Sequence, residues 1–304
     1  MWNAKPFRIS TAFLACLLLG LPGCSLMQSG WQDRFTASNE RDWSPEMSAL
    51  PFAKIENGQV EIHNIRNCNY VSSDEFVTRY MDRTINVSDV QTVDFIVVPF
   101  NQIAALAHTM ISFGLRDGTY IAVSVEVRKE KGEKYSPFTG LVNQFEIAYV
   151  VADERDLIRV RTGHRDADVY VFPSIATPEQ SQALFVDIMG RVNELAVEPE
   201  FYHTIRNNCT TNLADHVNNL SPDRIAYGWR VLLPGLSARY AYDIGLLENR
   251  ISFEELKAIA YVNDLAAKHY DDPDFSNLIR QRRRNIDRIV SQQNIVPDST
   301  TLRR

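Results

Sequence analysis

The sequence predicts an α+β fold: an antiparallel sheet with helices packed against it and a helical extension at the C-terminal end. Three observations carry this. Between residues 60 and 174 the chain repeats short runs rich in Val, Ile, Tyr and Phe, broken by turn residues. From residue 177 onward apolar residues recur at helical spacing. Between the two runs ALAHTMISFGL and TYIAVSVEVR stands Asp117-Gly118, a pair that accepts the positive φ of a tight turn and so predicts a hairpin.

The elements follow in order. Residues 1–24 join a basic start (Lys5, Arg8) to an apolar run over 11–21, the pattern of a secretory signal. The run is shorter than the roughly 20 residues a membrane span needs. Its end, LPGC, is similar to the lipobox of bacterial lipoproteins, which makes Cys24 the expected lipidated N-terminus of the mature chain. Ser25 after it favours the outer membrane, so the expected place is the periplasmic face of a bacterial membrane. Residues 25–54 are polar and turn-rich and read as a tether. Strands are predicted in VEIHNIRNCNYV, VDFIVVPF, ALAHTMISFGL, TYIAVSVEVR, FEIAYVVA and DVYVFPS. A helix opens at Thr177, a cap residue followed by Pro178 and Glu179. Further helical patterns cover residues 198–220 and the stretch ISFEELKAIAYVNDLAAKHY. The basic cluster RQRRR at 280–284 reads as a solvated helix face.

Composition narrows the function. Hydrophobic residues at 45% and charged residues at 23% describe an ordinary globular core. A net charge of -6 gives no global attraction to nucleic acid, which is not expected as a partner. No CxxC or HxxxH spacing suggests a metal, and no glycine-rich loop suggests a phosphate cofactor. Past the lipobox only Cys68 and Cys209 remain. In an oxidising compartment they could pair, but Cys68 sits in a strand-like segment where a lone cysteine acts as a small buried hydrophobe.

Cys209 stands in NNCTTNLADHVNNL, where Asn208 can cap a helix that carries Leu213, Val217 and Leu220 on one stripe. The first turn of a helix favours an anion, so a thiol there is expected to have a lowered pKa. Its N–H groups, with Asn207 or Asn208 as side-chain donors, would also suit an oxyanion. Among the six histidines, His216 lies about 10 Å along the same helix and is too far for direct contact. His63, His164, His203 and His269 offer no clear partner. His108 interrupts an otherwise apolar strand, where a polar ring must be hydrogen-bonded or used. A strict two-residue turn at Asp117-Gly118 sets it opposite Val127; a bulge or longer loop sets it opposite Glu126, which could then orient the ring.

These residues lie in HTMISFGLRDGTYIAVSVEVRKEKGEKYS, YVVADERDLIRVRT and PEFYHTIRNNCTTNLADHV, which together resemble the periplasmic domain family named after the bacterial lipoprotein N-acyltransferase Lnb. The resemblance covers residues 55–225 and leaves 226–304 as a helical C-terminal extension. It implies a permuted papain-like, NlpC/P60-like thiol enzyme with His108 as base, Glu126 as orienting acid and Cys209 as nucleophile. The chain departs from the acyltransferase in having no stretch after Cys24 apolar enough to span a bilayer. The expected function is therefore a lipid-anchored cysteine acyltransferase or hydrolase without a cofactor, acting on a lipid, lipoprotein or peptidoglycan-derived carbonyl. The alternative is a non-catalytic lipoprotein that binds an envelope partner.

Overall fold

The runs rich in β-branched and aromatic residues form strands, because such side chains favour a pleated surface packed from above and below. The computed structural model describes residues 36–293 apart from 73–74, 101–102, 135, 137–138, 142 and 222–224. The signal segment, Cys24 and the start of the tether lie outside the described residues. In chain order the strands are β1 (Phe52–Glu56), β2 (Gln59–Arg66), β3 (Asn69–Tyr70), β4 (Phe76–Val77), β5 (Tyr80–Asn86), β6 (Val90–Phe100), β7 (Ile103–Leu115), β8 (Tyr120–Arg128), β9 (Glu146–Asp153) and β10 (Tyr170–Pro173). The main sheet runs β1-β2-β9-β8-β7-β6-β10, with β5 also paired to β2; β3 and β4 form a small hairpin of their own. Pairing is antiparallel except where β2 meets β9 at Arg66↔Ala152. The predicted α+β class with a mostly antiparallel sheet is therefore observed.

Helices cover both faces of this sheet. They are α1 (Glu154–Arg159), α2 (Pro178–Val197), α3 (Cys209–Leu220), α4 (Trp229–Leu232), α5 (Ser237–Asp243), α6 (Phe253–Ala260), α7 (Asn263–Lys268), α8 (Phe275–Leu278) and α9 (Arg284–Gln293). Thr177 caps α2 in a box with Gln180, as its sequence predicts. On one face Phe185, Met189 and Leu213 pack against Phe113, Val123 and Tyr149. On the other, Leu157, Val262, Phe275 and Ile279 pack against Ile96, Met110 and Ala122. Because both faces are covered, β8 is buried from Ile121 through Val125 and β9 from Glu146 through Ala152. The polar side of β8 is thus internal, where its hydroxyls require partners.

Three expectations are corrected. The tether ends early: from Ser38 the chain belongs to the folded unit. Asn39 Nδ2 donates to the carbonyls of Leu195 and Ala196 at 3.0 Å each, and Arg41 Nε donates to Glu146 Oε1 at 2.7 Å. Trp43 is buried with the Arg128 guanidinium 4.1 Å above its ring. Residues 226–304 are helical as expected over their described part, but Leu265 and Ala266 of α7, Phe275 of α8 and the flanking Val262 and Ile279 belong to a core of the sheet, so this part is no appendage. The third correction concerns the basic cluster. Arg280 is buried and donates to Asp94 Oδ2 and Glu154 Oε2, both at 2.8 Å, while Arg283 reaches Asp94 Oδ1 at 2.9 Å. A buried carboxylate without a cation would cost several kcal/mol, roughly 3–5 by analogy with broken buried pairs. Arg280 and Arg283 neutralise two of them, while Arg284 keeps the exposed position expected of the whole cluster.

Candidate active site

Cys209 opens α3, with Asn208 as its N-cap. Asn208 Oδ1 accepts from the N–H groups of Thr210 and Thr211, both at 2.9 Å, and Thr211 Oγ1 accepts the Asn208 N–H in return. This closed box fixes the helix start and leaves the Cys209 N–H as the first-turn donor that no described bond occupies. The side-chain amides of the two asparagines face the loop. Asn207 Nδ2 donates to Phe201 O at 2.9 Å and Glu200 Oε2 at 3.2 Å, and Asn208 Nδ2 donates to Thr204 O at 2.7 Å. Their observed work is to hold the loop and the helix end in place.

The hairpin resolves the register left open by sequence. Its loop has three residues, Arg116 to Gly118, closed by Leu115 N–H on Thr119 O, with Gly118 at φ 82°. This is the form in which a turn is followed by a left-handed glycine. The one added residue shifts the pairing to Gly114↔Tyr120 and Met110↔Ser124. Carried two residues further, that register sets His108 opposite Glu126 and on one face with Ser124.

The contacts follow from this placement. His108 Nε2 lies 2.6 Å from Ser124 Oγ, and Ser124 Oγ donates to Glu126 Oε1 at 2.7 Å. A hydroxyl has one hydrogen, so Ser124 accepts from His108 Nε2–H and passes the polarity on to the carboxylate. Glu126 Oε1 also stands 3.3 Å from His108 Nε2 and accepts from Arg161 Nη2 at 2.8 Å. Arg161 lies in a π-helical turn, Val160–His164, that follows α1 directly, and its Nη1 donates to Leu157 O. With Nε2 engaged, Nδ1 is the ring nitrogen left for the thiol.

The β7–β8 ladder stops at Met110↔Ser124, two residues short of His108. The Cys209 sulfur stands 3.9 Å from Thr210 Oγ1, and His108 and then Thr109 are the neighbours that favour its ionised form. Thr109 Oγ1 is 3.1 Å from Thr210 Oγ1, a contact that fastens α3 to β7 beside the thiol. Neighbouring residues on a strand face opposite sides. His108 and Thr109 therefore lie on opposite faces of β7, and Cys209 packs in the core that holds Phe113 and Val125.

Electrostatics follow from these contacts. Burial alone would raise the Cys209 thiol, but the hydrogen bond and charge of His108, then Thr109, outweigh it and bring it down to about 7. Burial would likewise lower His108; the Glu126 charge and the bond to Cys209 carry it up to about 9. Glu126 is held well below the usual carboxylate range, burial being overcome by His108 and then Arg161. Between about 7 and 9 the pair is therefore a thiolate beside an imidazolium. Cys209 is only 4% exposed, and the side chains of His108 and Glu126 are 14% and 18% exposed.

The structure thus brings His108 and Glu126 together on one strand face, couples the Cys209 thiol electrostatically to His108, and turns the Asn207 and Asn208 amides to the loop before the helix. Sequence reasoning misses Ser124, Thr109 and Arg161. Ser124 had a signal, since it shares a strand face with Glu126 two residues on. Arg161 had none, because only the packing of α1 on β8 carries it there. His216 is also more than a distant ring. Its Nδ1 bonds Asp187 Oδ2 at 2.6 Å and its Nε2 the Tyr149 hydroxyl at 2.7 Å; that hydroxyl is 3.1 Å from Asn212 Oδ1. Asn212 Nδ2 continues to Asn207 Oδ1 at 2.7 Å, so a buried polar chain supports the loop before Cys209. Cys68 and Cys209 are both free. Burial and then Asp156 push the Cys68 thiol up to about 11, which keeps it protonated.

The model of the Lnb N-terminal periplasmic domain matches residues 76–235, more than half of the chain. The chain belongs to this family. Membership makes it a periplasmic, lipoprotein-related envelope protein, and the match contains β6 to β9, α3 and every residue of the Cys209 site named above. It ends just after α4, ten residues beyond the resemblance read from the motifs, and starts after β1 and β2. No helix among the described residues is long and apolar enough to cross a membrane. No curated protein and no solved structure matches the chain.

Proposed function

We propose that the chain is a cysteine-dependent acyltransferase or hydrolase of the envelope, with a permuted papain-like arrangement and a lipid anchor at Cys24. What supports the reading is the His108–Ser124–Glu126 chain of hydrogen bonds together with the coupling of the His108 ring to the Cys209 thiol, which lowers the pKa of the thiol and raises that of the ring. A nucleophile, a base and a group that orients the base are the minimum for covalent acyl transfer. The Cys209 thiolate adds to an ester or amide carbonyl carbon, forming a C–S bond as the carbonyl π pair moves to oxygen. The Cys209 N–H lies at the helix end to receive that oxyanion. Collapse breaks the bond to the leaving alkoxide or amine, which takes its proton from His108 Nδ1, and a thioester remains. An amine, hydroxyl or water then attacks the thioester, gives its proton to His108 Nδ1, and releases the thiolate.

Glu126 is a positioning residue in this scheme. Through Ser124 it keeps the hydrogen on Nε2 and so leaves Nδ1 free for the thiol. The substrate class is an acyl ester or amide of the envelope: a lipid, a lipoprotein or a peptidoglycan-derived amide. The test compares lipid and muropeptide profiles of cells carrying the wild-type chain or Cys209→Ser. An acyl species that accumulates or disappears only with the serine variant supports the reading; identical profiles, with Cys209 unreactive in the purified chain, overturn it and leave a binding lipoprotein.

A further inference from the structure

We infer a second site, for a phosphate dianion, in a cavity of about 150 Å³ framed by Arg79, Arg155 and Arg159 between the β3–β4 hairpin, α1 and Tyr270. The charges do not balance. Asp156 lines the cavity, but its carboxylate is fully engaged: Arg66 Nε and Nη2 donate to it, as do the Cys68 N–H at 2.6 Å and the Tyr70 hydroxyl at 3.2 Å. Arg155 is paired with Asp153 at 2.9 Å. Arg79 and Arg159 make no ion pair among the described residues, which leaves two guanidinium charges facing one cavity.

Arg159 is the sharper anomaly. Its Nε is buried without a hydrogen-bond partner, and its guanidinium carbon stacks 4.6 Å from the Tyr270 ring centre and 5.3 Å from that of Phe275. Stacking holds the planar fork in one orientation and leaves its N–H edge for an acceptor. Burial and then the like charge of Arg155 press its pKa downward against Tyr270, Asp271 and Asp153. An uncompensated, partly buried cation is costly unless a ligand completes it. Two unmatched guanidinium groups call for two negative charges on one small group with several acceptor oxygens. Inorganic phosphate or the terminus of a phosphomonoester meets that description; a phosphodiester, with one charge, meets half of it.

The site is independent of the chemistry proposed for Cys209. Its test uses phosphorus NMR of the full chain in detergent at pH 8, with inorganic phosphate, glycerol 3-phosphate and a glycerol phosphodiester as probes. Saturable broadening by either of the first two, weakened about tenfold or more in Arg159→Gln and in Arg79→Gln, is the expected result. Tighter binding of glycerol 3-phosphate than of inorganic phosphate identifies a monoester as the source, and the reverse identifies the free ion. Arg79 is exposed, so its variant keeps the assay informative should Arg159→Gln unfold. No saturable binding, equal binding in the variants, or a preference for the diester overturns the inference.

Discussion

Replacing His108 with alanine removes the group that most lowers the Cys209 thiol and leaves burial opposed only by Thr109. The thiol should then return to 9 or above. At pH 7 the wild-type site holds about half its sulfur as thiolate, whereas a pKa of 9 leaves about one part in a hundred. The thiolate population falls roughly fiftyfold. The alkylation rate falls less, because a more basic thiolate is intrinsically the stronger nucleophile; a Brønsted slope near 0.45 returns roughly eightfold, for a net loss of roughly sixfold at pH 7. The assay is iodoacetamide labelling from pH 5 to 10, followed peptide by peptide by mass spectrometry so that Cys209 is read apart from the other cysteines. Cys68, pushed up to about 11, should remain silent below pH 9 and serves as the internal reference. The expected wild-type profile rises near pH 7, and the His108→Ala profile rises at 9 or later. A wild-type rise near 9, or a profile indifferent to His108, would refute the argument.

The remaining predictions concern the support of the pair and the fold. Ser124→Ala breaks the relay between His108 Nε2 and Glu126; turnover should fall by roughly 10- to 100-fold while a circular dichroism melt stays within a few degrees of wild type. Thr109→Val removes a hydroxyl that favours the thiolate and the hydrogen bond to Thr210, so the alkylation profile should move to higher pH, with about 1 kcal/mol lost in urea titration. Arg280→Met strands Asp94 and Glu154 and should cost roughly 3–5 kcal/mol in the same titration; a loss below 1 kcal/mol would contradict the buried-network reading. Asp94 itself, although burial would raise it, is lowered by Arg283 and then Arg280. Its contribution is full above the unfolded-state value of 3.8 and is lost as pH falls through the lower folded value, so acid unfolding should shift to higher pH in Arg283→Gln.

The central strands were legible from their β-branched runs, because a strand buried on both faces has little reason to carry other residues. β1 and β5 were not. FAKIE and YMDRTIN alternate weakly at the sheet edge, where one side meets water and composition no longer distinguishes a strand from a loop. The helix start at Cys209 was legible in full, since an asparagine cap acts within three residues and its chemistry is local.

What the sequence by itself determined is therefore the set of short-range facts: the capped helix carrying Cys209, the hairpin that brings His108 beside the strand of Glu126, and the family. What only the tertiary structure decided is which polar groups meet across long separations. The Arg280–Asp94 pair spans 186 residues and Arg161–Glu126 spans 35. Each arginine reads as surface charge until packing removes the water around it. A lone residue type carries no record of its distant partner. The cost of burying a charge makes the pairing obligatory once the faces close, and the closing of the faces is a property of the whole fold.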